Sequence, residues 1–495
     1  MDLGLPYTPL IESLESQVAQ GTFTAWSCAH SGGALAAFYA DEAEPPEWLL
    51  DQSSELHPHQ TKMHTWFPAF DLASLTKPLL ANAWLRMHLG ADPEIWFRSP
   101  LASLIEPRSP EGELLLKWCQ KNPWLTLAHL LNHTSGLKSW TWFGRALWQE
   151  VAKKNGQTTR AVSRSGDIQS DTSGEAAQQA RMDLTAFILN LPVQKSAGES
   201  ATVYSDLNYY LLARVMENLS MQKYRGWSGI IDDLNEHWKT NFWHASIDPE
   251  RSSRAIPYFP YAHSQVVAHV YESRKLINHA GEFGAVHDTN ANILATAFRS
   301  SATTAPLVSS HAGLFGNIFD TVKTVPFFIQ SQSEFEAHRL PESIRSRRFS
   351  WGLDTPSDNT STAGLKHWPP PSERTFFGHL GYTGTSLWMA DDGQFHALLT
   401  NRTACRRVIG SSNVPRILIF QKDSESIPEC WIKLSPSKIN GPLNAPWQTI
   451  HWKDAYSLCF EQSRMITRYW DRMVLRKPPD LANVRRATGQ LLWTH

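Results

Sequence analysis

The hydrophobic pattern of this chain alternates near both ends and becomes helical between them. Residues 22–29 and 34–40 look extended and are separated by a Ser-Gly-Gly turn at 31–33, which predicts a β-hairpin. The extended pattern returns at 384–402, where an Asp-Asp-Gly turn at 391–393 predicts a second hairpin. Strands from distant segments with helices between them predict an α+β fold, an antiparallel sheet flanked by helices with an inserted helical subdomain.

Apolar residues at helical spacing predict three helices outside these strands. The first covers residues 6–20, the second is a buried helix from Ser74 to about Leu89, and the third is an amphipathic helix over 454–475. We expect the third helix to pack on the sheet. Residues from about 95 to 285 are expected to supply most of a helical lobe, with the functional cleft between the lobe and the sheet.

Domain boundaries follow from changes in composition. Residues 1–402 are predicted to form one domain, and residues 403–495 are predicted to hold an insertion followed by the C-terminal helix. Residues 153–182 are polar and rich in Ser, Gln, Thr and Gly, which indicates a mobile surface insertion in the helical lobe. Residues 404–450 show no regular period, and no function is assigned to them.

Composition and charge exclude several classes of protein. At 495 residues, with 42% hydrophobic and 19% charged residues, the chain is typical of globular proteins and not of disordered or fibrous ones. The 46 Lys and Arg residues nearly balance the 47 Asp and Glu residues, so no strong field would attract nucleic acid or an anionic membrane. We therefore expect a small-molecule substrate.

Cysteine usage and apolar run length set expectations about location. The five cysteines are scattered and show no C-x-x-C spacing, which is typical of free thiols in a reducing compartment. The N-terminus lacks the basic and apolar regions of a secretory signal, and the chain has no apolar run of roughly 18 residues. We expect a cytoplasmic protein without a membrane span, and we favour a monomer.

Ser74 and Lys77 have the S-x-x-K spacing at the start of the predicted helix. Residues three apart lie on one helix face, so the spacing brings a hydroxyl and an amine together. A serine hydroxyl becomes a good nucleophile when a neighbouring base accepts its proton. The helix start and burial are expected to lower the pKa of Lys77 and make its neutral amine accessible. Taken alone, the spacing fits a helix cap with a solvated lysine equally well.

Further segments follow Ser74 and Lys77 in a fixed order. Tyr204 begins a Tyr-Ser-Asp element, His379 begins a His-Leu-Gly element, and two other blocks cover residues 286–291 and 310–316. With these segments the sequence resembles the serine β-lactamase and penicillin-binding-protein family, in particular its class C-type esterases and DD-peptidases. The resemblance covers roughly residues 20–402.

The resemblance implies a role for each motif residue. Ser74 corresponds to the acylated nucleophile, Lys77 to its amine partner, and Tyr204 to the phenol that relays protons to the leaving group. For Tyr204 to act as a base its pKa must fall well below about 10. Two nearby cations, Lys77 and a protonated His379, are expected to lower it.

Four further residues are assigned to substrate binding by the same resemblance. Asp206 stands where an asparagine is commoner in the family, so it accepts hydrogen bonds without donating any and is expected to hold Lys77 charged and oriented. His379 replaces a lysine found in many relatives, which makes the local positive charge depend on pH. The backbone N–H groups of Ser74 and Tyr382 are expected to form the oxyanion hole, beside a close-approaching Gly381.

Other histidines are assigned structural roles. His129 and His133 have i, i+4 spacing, but no glutamate stands between them as in a zinc-binding H-E-x-x-H motif. His287, Asp288 and His311 resemble metal ligands in isolation, yet the family implied by the motifs is metal-independent. No metal and no cofactor is therefore expected.

The sequence thus predicts a serine hydrolase that forms an acyl-enzyme on Ser74 and hydrolyses an ester, a lactone or a small amide. One alternative is a cell-wall peptidase, an amidase or a β-lactamase that acts on D-amino-acid or muropeptide fragments. An alternative of another class is a catalytically inactive homologue that only binds a ligand or a partner. The intact spacing of Ser74, Lys77 and Tyr204 favours an enzyme.

Overall fold

The structure is a computed structural model, and it describes many separate segments of the chain. These are residues 25–30, 33–38, 69–141, 143, 146, 175–194, 202–223, 226–248, 286–297, 306–346, 348–355, 376–401, 416–421, 431–435, 448–451 and 490–494. The predicted helices over 6–20 and 454–475 lie outside the described residues.

Three sheets contain the strands of the described segments. The strands are β1 (Ala25–His30), β2 (Gly33–Phe38), β3 (Phe70–Asp71), β4 (Trp243–His244), β5 (Leu314–Gly316), β6 (Phe349–Ser350), β7 (Leu353–Asp354), β8 (Phe376–Leu380), β9 (Ser386–Ala390), β10 (Phe395–Thr400), β11 (Arg416–Gln421), β12 (Trp431–Ser435), β13 (Gln448–His451) and β14 (Gln490–Thr494). The largest sheet has eight strands in the order β14-β2-β1-β10-β9-β8-β7-β6.

Both predicted hairpins are confirmed in this antiparallel sheet. β1 pairs with β2, with Ser27 opposite Ala36, and β9 pairs with β10, with Trp388 opposite His396. The turn at 391–393 closes with Gly393 at a φ of 87°, a left-handed conformation that glycine adopts without strain. β1 also pairs with β10, so distant segments of the chain close one sheet as expected.

Between these strands, the described segments contain nine α-helices. They are α1 (Ala83–Leu89), α2 (Pro110–Lys121), α3 (Leu127–Leu131), α4 (Glu175–Leu189), α5 (Asp206–Lys223), α6 (Trp227–Trp238), α7 (Thr289–Ala297), α8 (Ile318–Lys323) and α9 (Val325–Glu336). The predicted α+β class is confirmed. α8 packs against β1 and β10, and α9 packs against β9, so these two helices outside the predicted lobe cover the sheet.

The helix predicted from Ser74 to Leu89 is present but varies in winding. A 3-10 turn, Ala73–Leu75, and a π-helical segment, Lys77–Asn82, lead into α1. Pro78 lies in the first turn of the π-helical segment, where its missing N–H costs no helical hydrogen bond. Leu79 and Leu80 are fully buried in the core shared by the lobe and the sheet.

A buried arginine fastens α1 to its neighbours. Arg86 donates hydrogen bonds to Asn82 Oδ1, Ser331 Oγ, Gln332 Oε1 and the carbonyl of Trp351. Because the guanidinium is buried, each of these acceptors offsets part of its desolvation. The helix that follows Ser74 is thereby fixed against α9.

Part of the predicted polar insertion is helical. Residues 175–182 form the first half of α4, and residues 153–174 lie outside the described residues. Ala177, Ala180, Leu184 and Ile188 recur every three or four residues and are buried, so α4 has one apolar face. The small side chain of alanine made this face hard to distinguish from a polar segment.

The region after residue 402 contains strands that the sequence pattern did not predict. β11, β12 and β13 form a separate three-stranded antiparallel sheet within residues 416–451. β14 pairs with β2 at the edge of the large sheet, with Leu492 opposite Ala36. β14 extends the large sheet, whereas the helix predicted over 454–475 lies outside the described residues.

Within the described segments, no helix combines the length and the apolar character needed to cross a membrane.

Candidate active site

The candidate nucleophile Ser74 lies in a tight turn between β3 and the helical segment. The preceding residue, Ala73, has a φ of 51°, a left-handed conformation that costs a residue with a Cβ roughly 1–2 kcal/mol. Asp71 Oδ1 accepts a hydrogen bond from the Ala73 N–H at 2.9 Å, and the Leu75 N–H donates to the Leu72 carbonyl at 2.9 Å. These bonds hold the turn that presents Ser74.

Lys77 is fully buried and joins Ser74 to Asp206. Its Nζ lies 3.1 Å from Ser74 Oγ, 3.1 Å from the His311 carbonyl oxygen and 2.8 Å from Asp206 Oδ1. Burial by itself lowers the pKa of Lys77, but the charge of Asp206 and the contact with Tyr204 outweigh it and raise this pKa above its ordinary value. The expected depression of the Lys77 pKa is therefore wrong, because the contacts with Asp206 and Tyr204 outweigh burial.

Tyr204 lies just before α5 in an aromatic surrounding. Its ring is 4.5 Å from the His133 ring and stacks on Phe349 at 5.8 Å, and Lys77 Nζ lies 4.9 Å from its centroid. Burial raises the pKa of Tyr204, and Asp206 raises it further, although hydrogen bonds with Lys77 and Ser74 act in the opposite direction. The expected phenolate is wrong, so Tyr204 is a neutral phenol at neutral pH.

Asp206 is the first residue of α5, where the positive end of the helix dipole favours a carboxylate. Its backbone N–H donates to the Ser139 carbonyl at 2.9 Å, which fixes the start of the helix. Its side chain is 18% exposed, whereas Lys77 is fully enclosed, so the ion pair lies at the inner wall of the cleft.

His379 lies on β8 and is only 2% exposed. Its Nδ1 is 2.7 Å from the Leu380 carbonyl oxygen, which makes Nδ1–H the donor and leaves Nε2 as an acceptor. Burial, with a smaller effect of Lys77, lowers the pKa of His379 to about 3. The expected protonated His379 is therefore wrong, because a buried imidazole near a cation stays neutral.

The segment after β8 lies against the turn over residues 71–75 that carries Ser74, which we call the nucleophile turn. Thr383 Oγ1 donates to the Asp71 carbonyl at 3.0 Å, and Thr385 Oγ1 donates to the Leu72 carbonyl at 3.1 Å. A Cβ added to Gly381 would lie 1.9 Å from Thr385 Oγ1 and 3.0 Å from the Leu72 carbonyl oxygen, so this close approach requires glycine. The arrangement brings the backbone of Tyr382 to the side of the turn that carries Ser74.

A second layer of charged residues, Asp71, His287, Asp288 and His311, adjoins this site. The last three were assigned structural roles from the sequence. Asp71 Oδ2 lies 2.8 Å from both the backbone nitrogen and Nδ1 of His287, whose ring stacks on Tyr382 at 5.2 Å. Burial lowers the pKa of His287, but Asp71 outweighs it, so this pKa is raised. The Asp71–His287 pair thus connects the nucleophile turn with the segment proposed to bind the oxyanion.

Asp288 and His311 form the other part of this layer. Asp288 Oδ1 lies 2.8 Å from His311 Nε2, and the His311 carbonyl accepts from Lys77. Burial raises the pKa of Asp288, but His311 outweighs it and keeps the carboxyl ionised. Ligand atoms of Asp206, Asp288 and His311 lie within 4.8 Å of one another, as in a metal site, but Lys77 already neutralises Asp206 and His311 already pairs with Asp288. In the sequence, the blocks over residues 286–291 and 310–316 were the features that pointed to this layer.

His129 and His133, the two histidines with i, i+4 spacing, contribute to structure in different ways. His129 Nδ1 lies 3.2 Å from the Thr126 backbone nitrogen and completes a capping box on α3. His133 has a φ of 58°, and its Nδ1 accepts from the Ser205 N–H at 3.0 Å. His133 therefore positions the chain that carries Tyr204, next to the site rather than apart from it.

Known proteins resemble this chain over most of its length. The Beta-lactamase family model matches residues 57–405. A search of curated proteins found no match.

Among solved structures, a class C β-lactamase from Rhodobacter sphaeroides is 13% identical, with a TM-score of 0.41 over 80% of this chain and 94% of that chain. A D-stereospecific amidohydrolase from Streptomyces sp. is 14% identical, with a TM-score of 0.42 over 80% of this chain and 94% of that chain. The hydrolase EstCE1, described as having promiscuous acyltransferase activity, is 14% identical, with a TM-score of 0.42 over 80% and 93%.

Proposed function

We propose that this chain, which belongs to the β-lactamase family, is a serine hydrolase that forms an acyl-enzyme on Ser74. The family consists of hydrolases, which supports an enzyme. The observation that carries the proposal is the contact of the buried Lys77 Nζ with both Ser74 Oγ, at 3.1 Å, and Asp206 Oδ1, at 2.8 Å. A buried lysine that contacts both a hydroxyl and a carboxylate is placed to move the proton of that hydroxyl.

The first half of the reaction is acyl transfer to Ser74. Ser74 Oγ attacks the substrate carbonyl, and the backbone N–H groups of Ser74 and Tyr382 stabilise the developing oxyanion. The neutral phenol of Tyr204 donates its proton to the leaving group, and the proton that Ser74 gives up passes through Lys77 and restores the phenol. The bond between the carbonyl carbon and the leaving group then breaks.

The second half is hydrolysis of the acyl-enzyme. A water molecule attacks the acyl carbonyl, and the same groups move its proton back to Ser74 Oγ. The free enzyme is regenerated when the acid product leaves.

The neutral His379 supports a substrate that lacks a carboxylate at this position. The imidazole is buried and neutral, so it offers no positive charge to an anionic group of the substrate. We therefore propose an ester, a lactone or a small amide as substrate class.

Intact-mass analysis tests the proposed function. The wild type and Ser74→Ala would be incubated with a fluorophosphonate, p-nitrophenyl esters, D-alanyl dipeptides and nitrocefin. One covalent adduct on the wild type and none on Ser74→Ala is expected. An adduct that survives the substitution would reassign the nucleophile, and a wild type that reacts with none of the probes would favour an inactive binding protein.

A further inference from the structure

Lys77, as the structure has it, is a donor and not a base. Its Nζ contacts three oxygen atoms with distances of 2.8 to 3.1 Å, on Asp206, Ser74 and His311. A charged ammonium has three donors and no acceptor, so these contacts use its protons. Lys77 can take the Ser74 proton only after it has given one of its own to another group.

Asp206 is the group that can receive that proton. Of the three oxygen contacts of Lys77, the His311 oxygen is a backbone carbonyl and Ser74 is the reacting hydroxyl. Tyr204, which also contacts Lys77, is an uncharged phenol. Asp206 provides the shortest contact and the only anion among these partners in the described structure.

A second carboxylate lies beside Asp206. An oxygen of the ionised Asp288 lies within 4.8 Å of an Asp206 oxygen. The titratable and charged groups around the pair are Tyr204, Asp288 and His311, with His133, His287, Arg348 and His379 farther out.

We propose that Asp206 is the proton acceptor of the acylation step and acts through Lys77. The proposal rests on the serine hydrolase function above. As Ser74 Oγ forms its bond to the carbonyl carbon, the Ser74 proton moves to Lys77 Nζ and a Lys77 proton moves to Asp206 Oδ1. The carbonyl electron pair becomes the oxyanion. When the intermediate collapses, the proton returns from Asp206 through Lys77 to Tyr204, whose own proton goes to the leaving group.

The pH dependence of Asp206→Asn separates this role from a purely electrostatic one. If Asp206 accepts the proton, the wild type is active with Lys77 charged, so it labels rapidly at neutral pH. The variant then requires a neutral Lys77, so the acid limb of its profile moves to higher pH. If Asp206 merely keeps Lys77 charged, the wild type needs alkaline pH to make Lys77 neutral. The substitution removes the charge that opposes this, so the acid limb of the pH profile moves to lower pH.

The measurement is the second-order rate of Ser74 labelling by a fluorophosphonate between pH 4 and pH 10. Fluoride leaves without general acid assistance, so the rate reports activation of the nucleophile. At pH 7 we expect Asp206→Asn to be slower than the wild type by on the order of 100-fold or more. We expect Asp206→Glu, which keeps a carboxylate, to keep the acid limb of the wild type. Equal or faster labelling of Asp206→Asn at pH 7 would overturn the proposal.

Two controls make the result specific. Asp391→Asn removes a carboxylate in the exposed β9–β10 turn and is expected to label like the wild type. Melting temperatures of both asparagine variants show whether a slower labelling rate comes from unfolding. If Asp206→Asn is unfolded, the pH profile of Asp206→Glu decides whether the carboxylate accepts the proton. If the wild type does not label at all, the proposed serine hydrolase function fails. If the wild type labels but the pH profile of Asp206→Asn shifts in the opposite direction, only the proposed role of Asp206 fails.

Discussion

Substitution of Asp71 by asparagine tests whether one buried carboxylate holds the turn that presents Ser74. Asp71 Oδ1 accepts from the Ala73 N–H at 2.9 Å, and Oδ2 accepts from the His287 backbone N–H and Nδ1–H, both at 2.8 Å. An asparagine side chain keeps one acceptor oxygen and places an NH₂ donor at the other position. In either orientation, at least one buried N–H then faces another donor.

The size of the loss follows from these contacts. A buried donor without an acceptor costs about 1–3 kcal/mol, and removing one partner of a buried ion pair costs about 3–5 kcal/mol. We expect the free energy of unfolding to fall by about 3–5 kcal/mol in Asp71→Asn where His287 is charged. The left-handed Ala73 loses the bond that holds it, so labelling of Ser74 should slow as well.

The loss should depend on pH in a defined direction. Burial lowers the pKa of His287, but Asp71 outweighs it, so the folded-state pKa lies above the unfolded value of about 6.5. The stability from this pair is fully present below the unfolded pKa and is lost as pH rises through the folded one. The difference between wild type and variant should therefore be larger at pH 6 than at pH 9.

Urea unfolding followed by tryptophan fluorescence at both pH values measures this difference, with Asp391→Asn as the control. A loss below about 1 kcal/mol, the size of one ordinary hydrogen bond, would refute the reasoning. So would a loss that is the same at both pH values.

Three further predictions concern the cleft. Gly381→Ala should slow fluorophosphonate labelling of Ser74 by about 100-fold, because the new Cβ would lie 1.9 Å from Thr385 Oγ1; labelling at the wild-type rate would contradict this. Tyr204→Phe should reduce turnover of alkyl esters by about 100-fold or more and of p-nitrophenyl esters much less, since p-nitrophenolate leaves without a proton. An equal loss on both esters would count against Tyr204 as the proton donor. His379→Lys places a second cation at a site that is 2% exposed, near Lys77, and should lower the melting temperature at pH 7; an unchanged value would show that the site tolerates charge.

Local patterns were sufficient to predict much of the fold. The two hairpins are marked by turns at 31–33 and 391–393, and the helix after Ser74 is marked by apolar spacing, because these signals act over a few residues. β11, β12 and β13 were missed since short strands between many prolines show no period long enough to detect. The first half of α4 was missed because alanines form its buried face.

The sequence motifs predicted which side chains lie close together but not the electrostatics around them. The structure brings Ser74, Lys77 and Tyr204 together, whereas the expected pKa directions of Lys77 and Tyr204 and the expected charge of His379 were wrong. Those directions depend on burial and on Asp206, which lies far from Lys77 in the chain. The contact between Asp71 and His287 joins residues 216 positions apart, which no local pattern reveals.

The most direct test of a Ser74 acyl-enzyme is mass spectrometry of the enzyme quenched in acid during turnover of an ester. Peptide mapping should then place the acyl mass on Ser74, and Ser74→Ala should show neither the acyl mass nor turnover. Turnover that persists in Ser74→Ala, or an acyl group mapped to another residue, would contradict the account.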